Sequence, residues 1–214
     1  MWRRNGLTIV MLSLFAVFWA GHALVGFRHE IEERREHGEE PIAFGEYLRS
    51  GEFWESTAEN WESEFLQMAA FVWLTVFLRQ KGSSQSRPVE GEAEADRAPR
   101  PRRGAPWPVH RGGLLLALYE RSLTLSLVAL FLFSFGLHAV AGRAAYNAEQ
   151  AQHGQPAVSV AGYVASSRFW FESLQNWQSE FLAVAAIVVL SVFLRQRGSP
   201  ESKPVDAPHA ETEA

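Results

Sequence analysis

One stretch of this chain occurs twice: NWESEFLQMAAFVWLTVFLRQKGS at 60–83 returns as NWQSEFLAVAAIVVLSVFLRQRGS at 176–199. The two copies are identical at 17 of 24 positions, at a constant offset of 116 residues. Each copy begins with an amide, an indole and a carboxylate, crosses an apolar run and ends at Arg-Gln. This pattern is typical of a helix that spans a membrane. The chain is therefore expected to contain a duplicated unit.

The hydrophobic residues are concentrated in four blocks, which is not the distribution that a soluble core requires. Residues 7–27 and 122–142 contain no Asp, Glu, Lys or Arg. At ~1.5 Å per residue each is long enough to cross a hydrocarbon layer of roughly 30 Å. The runs 65–78 and 181–194 cover only about 21 Å, so the polar turn before each run must enter the interface. We predict four transmembrane helices, at about 7–27, 61–79, 122–142 and 177–195.

Each copy of the repeat would hold two spans, so both copies start on the same side of the membrane. The expected fold is all-α and integral to the membrane, with two helical hairpins in a four-helix bundle. Parallel repeats of this kind are related by a pseudo-twofold axis along the membrane normal. We place the repeats at 1–83 and 114–199. A polar linker, 84–113, and a polar tail, 200–214, have compositions typical of disorder.

Basic residues are distributed unequally between the two predicted sides. The segments that join paired spans carry six arginines, and the other 14 of the 20 basic residues lie in the termini and the linker. The positive-inside rule then predicts a protein of the bacterial inner membrane with cytoplasmic amino and carboxyl termini. A cleaved signal peptide is the competing interpretation of the first block, because Arg3 and Arg4 precede it. The second copy of the first block lies inside the chain and cannot be a cleaved leader, which argues against a signal peptide.

A basic cluster closes the linker just before the third block. Such a cluster next to a span is expected to contact anionic lipid headgroups, at about 1 kcal/mol per charge near the surface. Nucleic-acid binding is disfavoured, because no folded scaffold presents these side chains. The arginines concerned are Arg97, Arg100, Arg102, Arg103 and Arg111.

Polar residues of the duplicated helix gather at its outer end. Ser50 and Ser167 are the predicted N-caps of a helix that continues to Arg79 or Arg195. The two arginines suit the helix C-terminus and lipid phosphates, and a tryptophan at the opposite end suits the headgroup layer. The predicted outer polar cluster comprises Asn60, Ser63, Glu64, Asn176, Ser179 and Glu180. The predicted interface anchors are Trp61, Trp177, Arg79 and Arg195.

Two glutamates and two histidines are the candidates for chemistry. Glu64 and Glu180 stand one position before the apolar runs, where a carboxylate is costly unless it is paired or hydrated. His22 and His138 occupy matching positions in the first and third blocks, at about the same depth. Two histidines and two glutamates around a twofold axis would suit a divalent metal or proton transfer. In the alternative interpretation these groups only cap and pack helices.

No catalytic signature accompanies these candidates. The chain has no cysteine, which excludes disulfides and thiolate chemistry. It contains no phosphate-binding glycine loop, HExxH site or nucleophile elbow, and no cofactor is predicted. Our leading hypothesis is a non-enzymatic packing or interaction module that pairs with another copy or another membrane protein. The alternatives are a small proton- or ion-conducting protein and a metal-binding membrane enzyme, both using the Glu and His residues named above.

The chain also resembles an uncharacterised bacterial membrane-protein family, a domain of unknown function. The residues that carry the resemblance are Asn5-Gly6-Leu7, His37-Gly38 with Pro41, Tyr47-Leu48, Ser50-Gly51, Phe53, the run 59–67 and the ending 76–83. It implies a multi-pass membrane protein and carries over no catalytic residue, because the family has no established activity. The second copy departs at Arg168 for Glu52, Gln178 for Glu62 and Ala183 for Gln67. A function that needs those groups would be asymmetric.

Overall fold

The computed structural model describes residues 2–91 and 93–212. Across these residues the chain is helical and contains no strand, which confirms the all-α prediction. The elements are α1 (Trp2–Glu36), α2 (Phe44–Tyr47), α3 (Gly51–Phe77), a 3-10 turn (Glu94–Asp96), α4 (Trp107–Arg111), α5 (Gly113–Tyr119), α6 (Ser122–Gln152), α7 (Val160–Val164) and α8 (Ser167–Phe193).

Helix bounds recur at the offset of the sequence repeat. α3 and α8 are each 27 residues long, and both bounds of α8 lie 116 residues after those of α3. α7 begins 116 residues after α2, and α6 ends 116 residues after α1. A glycine with positive φ follows both α1 and α6, at 72° for Gly38 and 65° for Gly154. Glycine adopts this conformation without the steric penalty of a Cβ, and it commonly ends helices in this way.

Serine hydroxyls cap the two long repeated helices. Ser50 Oγ accepts a hydrogen bond from the backbone N–H of Phe53 at 3.2 Å, as predicted. In the second copy the cap is Ser166, whose Oγ accepts from the N–H of Phe169 at 3.3 Å. The prediction of Ser167 is wrong, because Ser167 is already the first residue of α8. The corrected caps stand at equivalent positions of the repeat.

Among the described residues, three helices are long and apolar enough to cross a membrane: α1 from Arg4 onward, α6 and α8. In their most apolar stretches only 6%, 17% and 6% of the residues are buried. Exposed apolar surface of this extent is typical of helices that contact lipid. Of the four predicted spans these three meet the criterion, whereas α3 is less apolar than its counterpart α8. It carries Glu62 and Gln67 where α8 has Gln178 and Ala183.

The chain divides into two compact units. The first comprises the chain up to Ala58 together with Gly136–Phe169. Its most deeply buried large side chains are Tyr47 and Phe53 and their counterparts Tyr163 and Phe169. The ring centroids of each pair lie 5.6 Å apart. Aromatic pairs at this separation contribute favourable edge and face contacts in addition to the area they bury.

Glycines allow these tyrosines to approach α1 and α6. A Cβ added at Gly26 would lie 2.1 Å from the hydroxyl oxygen of Tyr47. A Cβ at Gly142 would lie 2.4 Å from the hydroxyl oxygen of Tyr163 and 2.7 Å from its Cζ. Both distances are shorter than a van der Waals contact, so each tyrosine fits only because its neighbour has no side chain.

The second unit comprises Glu59–Phe135 together with the chain from Trp170 onward. Here the C-termini of α3 and α8 have the same cap. Arg79 Nη1 donates to the carbonyl oxygens of Thr75, Val76 and Leu78, at 3.4, 3.2 and 3.0 Å. Arg195 Nη1 makes the same three bonds within its own helix, at 3.2, 3.1 and 2.8 Å. The two arginines therefore satisfy carbonyls that a helix end leaves without partners.

The tail, which was expected to be unstructured, contains a buried lysine. Lys203 is 1% exposed, and its Nζ donates to the carbonyl oxygens of Pro208, His209 and Glu211 at 3.1, 3.1 and 2.7 Å. These acceptors replace the water that the ammonium loses on burial. The linker also differs from its expected form, since it contains the 3-10 turn, α4 and an ion pair between Arg87 and Asp96.

Candidate functional site

The predicted outer polar cluster consists largely of local contacts in the structure. Ser63 Oγ donates to the carbonyl of Asn60 at 2.8 Å, and Ser179 Oγ donates to the carbonyl of Asn176 at 2.9 Å. Glu64 is exposed and Glu180 is half-buried. Both serines thus donate within their own helical turn.

The buried acid of this part of α3 is Glu62 rather than Glu64. Glu62 is 0% exposed, and its carboxylate accepts a hydrogen bond from Nε1 of Trp177 at 2.9 Å. The indole of Trp177 also packs against Phe131 and Trp170 within the second unit. The role of Trp177 as an interface anchor stays a prediction. In the structure its indole ties α8 to a buried carboxylate of α3.

The two histidines have different surroundings within the first unit. His22 Nε2 lies 3.1 Å from Ser56 Oγ, and its ring packs against Phe53 with centroids 5.7 Å apart. His138 is fully buried, and its ring stacks on Phe169 at 4.6 Å. Glu64 and Glu180 belong to the second unit. The convergence of all four groups at one level therefore stays a prediction.

A buried carboxylate that the sequence did not single out lies beside His138. Tyr163 donates its hydroxyl hydrogen to Oε1 of Glu55 at 2.8 Å, and Glu55 is only 7% exposed. A carboxylate oxygen of Glu55 and a ring nitrogen of His138 lie within 4.8 Å of each other. The Tyr163 hydroxyl thus joins α7 to α3 through a polar contact.

A polar cavity of about 360 Å³ lies in the first unit, between the end of α1, the start of α3 and the end of α6. Its ionisable lining consists of six glutamates, two arginines and one histidine. They are Glu30, Glu33, Glu39, Glu52, Glu55, Glu149, Arg34, Arg168 and His37. Both arginines already pair with acids of the lining, Arg34 with Glu30 and Glu39, and Arg168 with Glu149. The cavity therefore carries an excess of carboxyl groups.

Two of these carboxyls bond to each other. The side chains of Glu52 and Glu30 share a hydrogen bond, which requires a proton on one of them. Burial is the largest cause of a raised pKa at Glu52, and together with the bond to Glu30 and the negative charges of Glu30, Glu33 and Glu55 it brings that pKa to about 8. The pair therefore holds its proton at neutral pH.

One signal in the sequence points to this cavity. Glu52 is replaced by Arg168 in the second copy of the repeat, and both residues line the cavity. Glu62, which receives the Trp177 bond, is likewise replaced by Gln178. Departures from a repeat thus mark two of the polar sites here, whereas the positions that repeat faithfully mostly cap and pack.

The described chain is thus an all-α protein with three long apolar helices that could span a membrane, and its first unit contains a cavity rich in carboxyl groups. The chain belongs to the family described as Domain of unknown function (DUF6766), whose model matches residues 1–214. This confirms the resemblance to a family of unknown function. No curated protein and no solved structure matches the chain.

Proposed function

We propose that the chain is an integral protein of the bacterial inner membrane in which α3 is a fourth span. The polar residues that lower the hydropathy of α3 include Glu62, Ser63 and Gln67, and all three are buried in the second unit. Their burial leaves apolar side chains such as Trp73 and Phe77 on the exposed surface of the helix. A helix of this kind meets lipid with an apolar face and keeps its polar groups inside protein.

The same proposal has two parallel hairpins, related by a pseudo-twofold axis, and both termini in the cytoplasm. It is supported by the recurring helix bounds and by the excess of basic residues in the linker and termini. The linker arginines would then lie on anionic lipid of the inner leaflet. Within this cluster Arg111 also lies over the ring of Trp107, at 5.5 Å from its centroid.

We propose further that the protein acts without catalysis, as a packing or interaction module for another copy or another membrane protein. The observation that carries this proposal is the use of the buried acids. Glu55 accepts from Tyr163 and Glu62 accepts from Trp177, so each joins helices of its own unit. A reacting carboxylate needs access to substrate or water, and Glu62 is fully buried.

Changing Glu64 and Glu180 together to Gln should leave assembly intact and create no change in ion flux. The exposed and half-buried positions of these residues make them poor candidates for a structural role. The measurement is recovery of an untagged copy with a tagged copy from membranes, paired with proton flux in liposomes. The matched control is Gln67→Ala in α3. It places at this buried position the alanine that the second copy has at 183.

Proton flux above that of empty liposomes, abolished by the double Gln variant, would instead establish the conducting alternative. Such a result would overturn the proposal of a passive module, because the two glutamates would then be part of a pathway.

A further inference from the structure

The start of α3 is held against α6 by a close backbone approach in the first unit. A Cβ at Gly51 would lie 2.6 Å from the backbone nitrogen of Ala145 and 2.7 Å from the carbonyl oxygen of Ala141. The next residue, Glu52, lines the cavity. Because the backbone before it is fixed in place, its side chain has a defined position beside the end of α1.

The partner of Glu52 lies near the end of α1. Glu30 lies six residues before the C-terminus of α1, is 9% exposed, and shares a hydrogen bond with Glu52. Loss of the shared proton would leave two carboxylates in contact at a partly buried position. Like charges at such a distance repel strongly, because little water screens them.

Few positively charged side chains near Glu30 and Glu52 remain to offset the repulsion between their carboxylates. The ionisable groups that line the same cavity or act on the pair come from α1, the loop after it, α2, α3, α6 and α8. They are His29, Glu33 and Arg34 on α1, His37 and Glu39 after it, Tyr47 on α2, Glu55 on α3, Glu149 on α6 and Arg168 on α8. Arg34 pairs with Glu30 and Glu39, and Arg168 pairs with Glu149, so both cations are already engaged.

We propose that the Glu30 and Glu52 carboxyls form a pH-dependent latch, which holds the end of α1 to the start of α3 while the pair keeps its proton and releases them in alkaline medium. The latch is a property of the first unit alone and goes beyond the proposed interaction role. On the proposed topology this end of the chain lies outside the cytoplasm, so the latch would respond to external pH.

The direction of the pH dependence follows from the pKa of Glu52. An unperturbed glutamate has a pKa of 4.5, whereas Glu52 in the folded chain has a pKa of about 8. The stability that the protonated pair contributes is therefore complete below about pH 4.5. It declines as the pH rises and is lost once the pH exceeds about 8. A Glu52→Gln change keeps a hydrogen-bond donor at this position and removes the titration.

Two measurements on the full-length chain in nanodiscs test the latch. The absence of cysteine allows spin labels at Glu32→Cys on α1 and Arg49→Cys before α3, both at exposed positions. At about pH 6 we expect one narrow distance distribution, and at about pH 10 a longer or broader one. With Glu52→Gln the narrow distribution should persist at both values. Glu36→Gln, an exposed position on α1, is the matched control and should open as the unchanged protein does.

Infrared difference spectra supply the second readout. The absorption of a protonated carboxyl should disappear with a midpoint near the pKa of about 8, and Glu52→Gln should lack this transition. Identical label distances at both pH values, or opening of the Glu52→Gln protein in the same way as its parent, would overturn the proposal. A carboxyl signal that survives in Glu52→Gln would overturn it as well.

Discussion

Replacing Gly51 with alanine should strongly destabilise the first unit. The added Cβ would meet the backbone nitrogen of Ala145 at 2.6 Å, the carbonyl oxygen of Ala141 at 2.7 Å and the Cβ of Ala144 at 2.9 Å. Two of these are backbone atoms, which cannot turn away as a side chain does, so α3 must move off α6. We expect a loss of about 3 kcal/mol, at the upper end of the usual range for overpacking. This loss of stability is measured as a lower midpoint of thermal unfolding in detergent.

The control for this prediction is Gly45→Ala in α2, where an added Cβ meets nothing within 4 Å. Because alanine is the better helix former, this change should leave the midpoint unchanged or raise it slightly. Equal midpoints for the two variants would show that α3 does not approach α6 as closely as the structure has it. The latch should also fail in Gly51→Ala, because Glu52 would lose its fixed position.

Removing the hydroxyl of Tyr163 should have the second large effect. Tyr163→Phe leaves the ring in place but takes the donor from Oε1 of Glu55, which remains buried at 7% exposure. A buried acceptor that loses a donor destabilises a fold by about 1–3 kcal/mol, and by more when it is charged. The free energy of unfolding in a denaturing detergent titration measures this change.

The repeat offers a matched control for the hydroxyl. Tyr47 is the equivalent residue of the first copy, and Phe171 stands at the position equivalent to Glu55. Tyr47→Phe should therefore lower the free energy of unfolding clearly less than Tyr163→Phe does. A double-mutant cycle with Glu55→Gln should give a coupling energy of about 0.5–3 kcal/mol. Additive effects of the two changes, with no coupling, would refute a direct bond between Tyr163 and Glu55.

Periodicity and repetition in the sequence were sufficient to predict the main helices. A long apolar run without charged residues predicts a helix that could span a membrane. The helices α1, α6 and α8 have the length and composition of such spans. The caps at Ser50 and Arg79 were also predictable, because capping depends on residues adjacent in sequence. Interactions between residues close in sequence can therefore be predicted from a single sequence.

The pairing of polar groups was not predictable in the same way. Glu30, Glu52 and Glu55 lie outside the apolar runs, and the exposure of a side chain depends on how its helix is rotated about its axis. Glu62 and Glu64 show this most directly. They are two residues apart, yet Glu62 is fully buried and Glu64 is exposed. The sequence favoured Glu64 because it stands one position before the apolar run, as Glu180 does in the second copy, whereas the buried acid Glu62 has Gln178 as its counterpart.

Lys203 shows a further limit of composition. The tail is polar and rich in proline and acidic residues, which is typical of disorder. Its lysine is nevertheless buried by backbone carbonyls from five to eight residues further along the chain. Backbone carbonyls are present in every sequence, so composition carries no information about when they gather around a cation.

If α3 crosses the membrane as proposed, the linker and both termini share the cytoplasmic side. Single cysteines in the cysteine-free chain test it with an impermeant maleimide on intact spheroplasts. The positions are Glu40, Arg100, Gln155 and Glu201, all exposed. We predict labelling of Glu40→Cys and Gln155→Cys in intact spheroplasts, and of Arg100→Cys and Glu201→Cys only after lysis. Equal labelling of Glu40→Cys and Arg100→Cys before lysis would place both ends of α3 on one side and contradict the account.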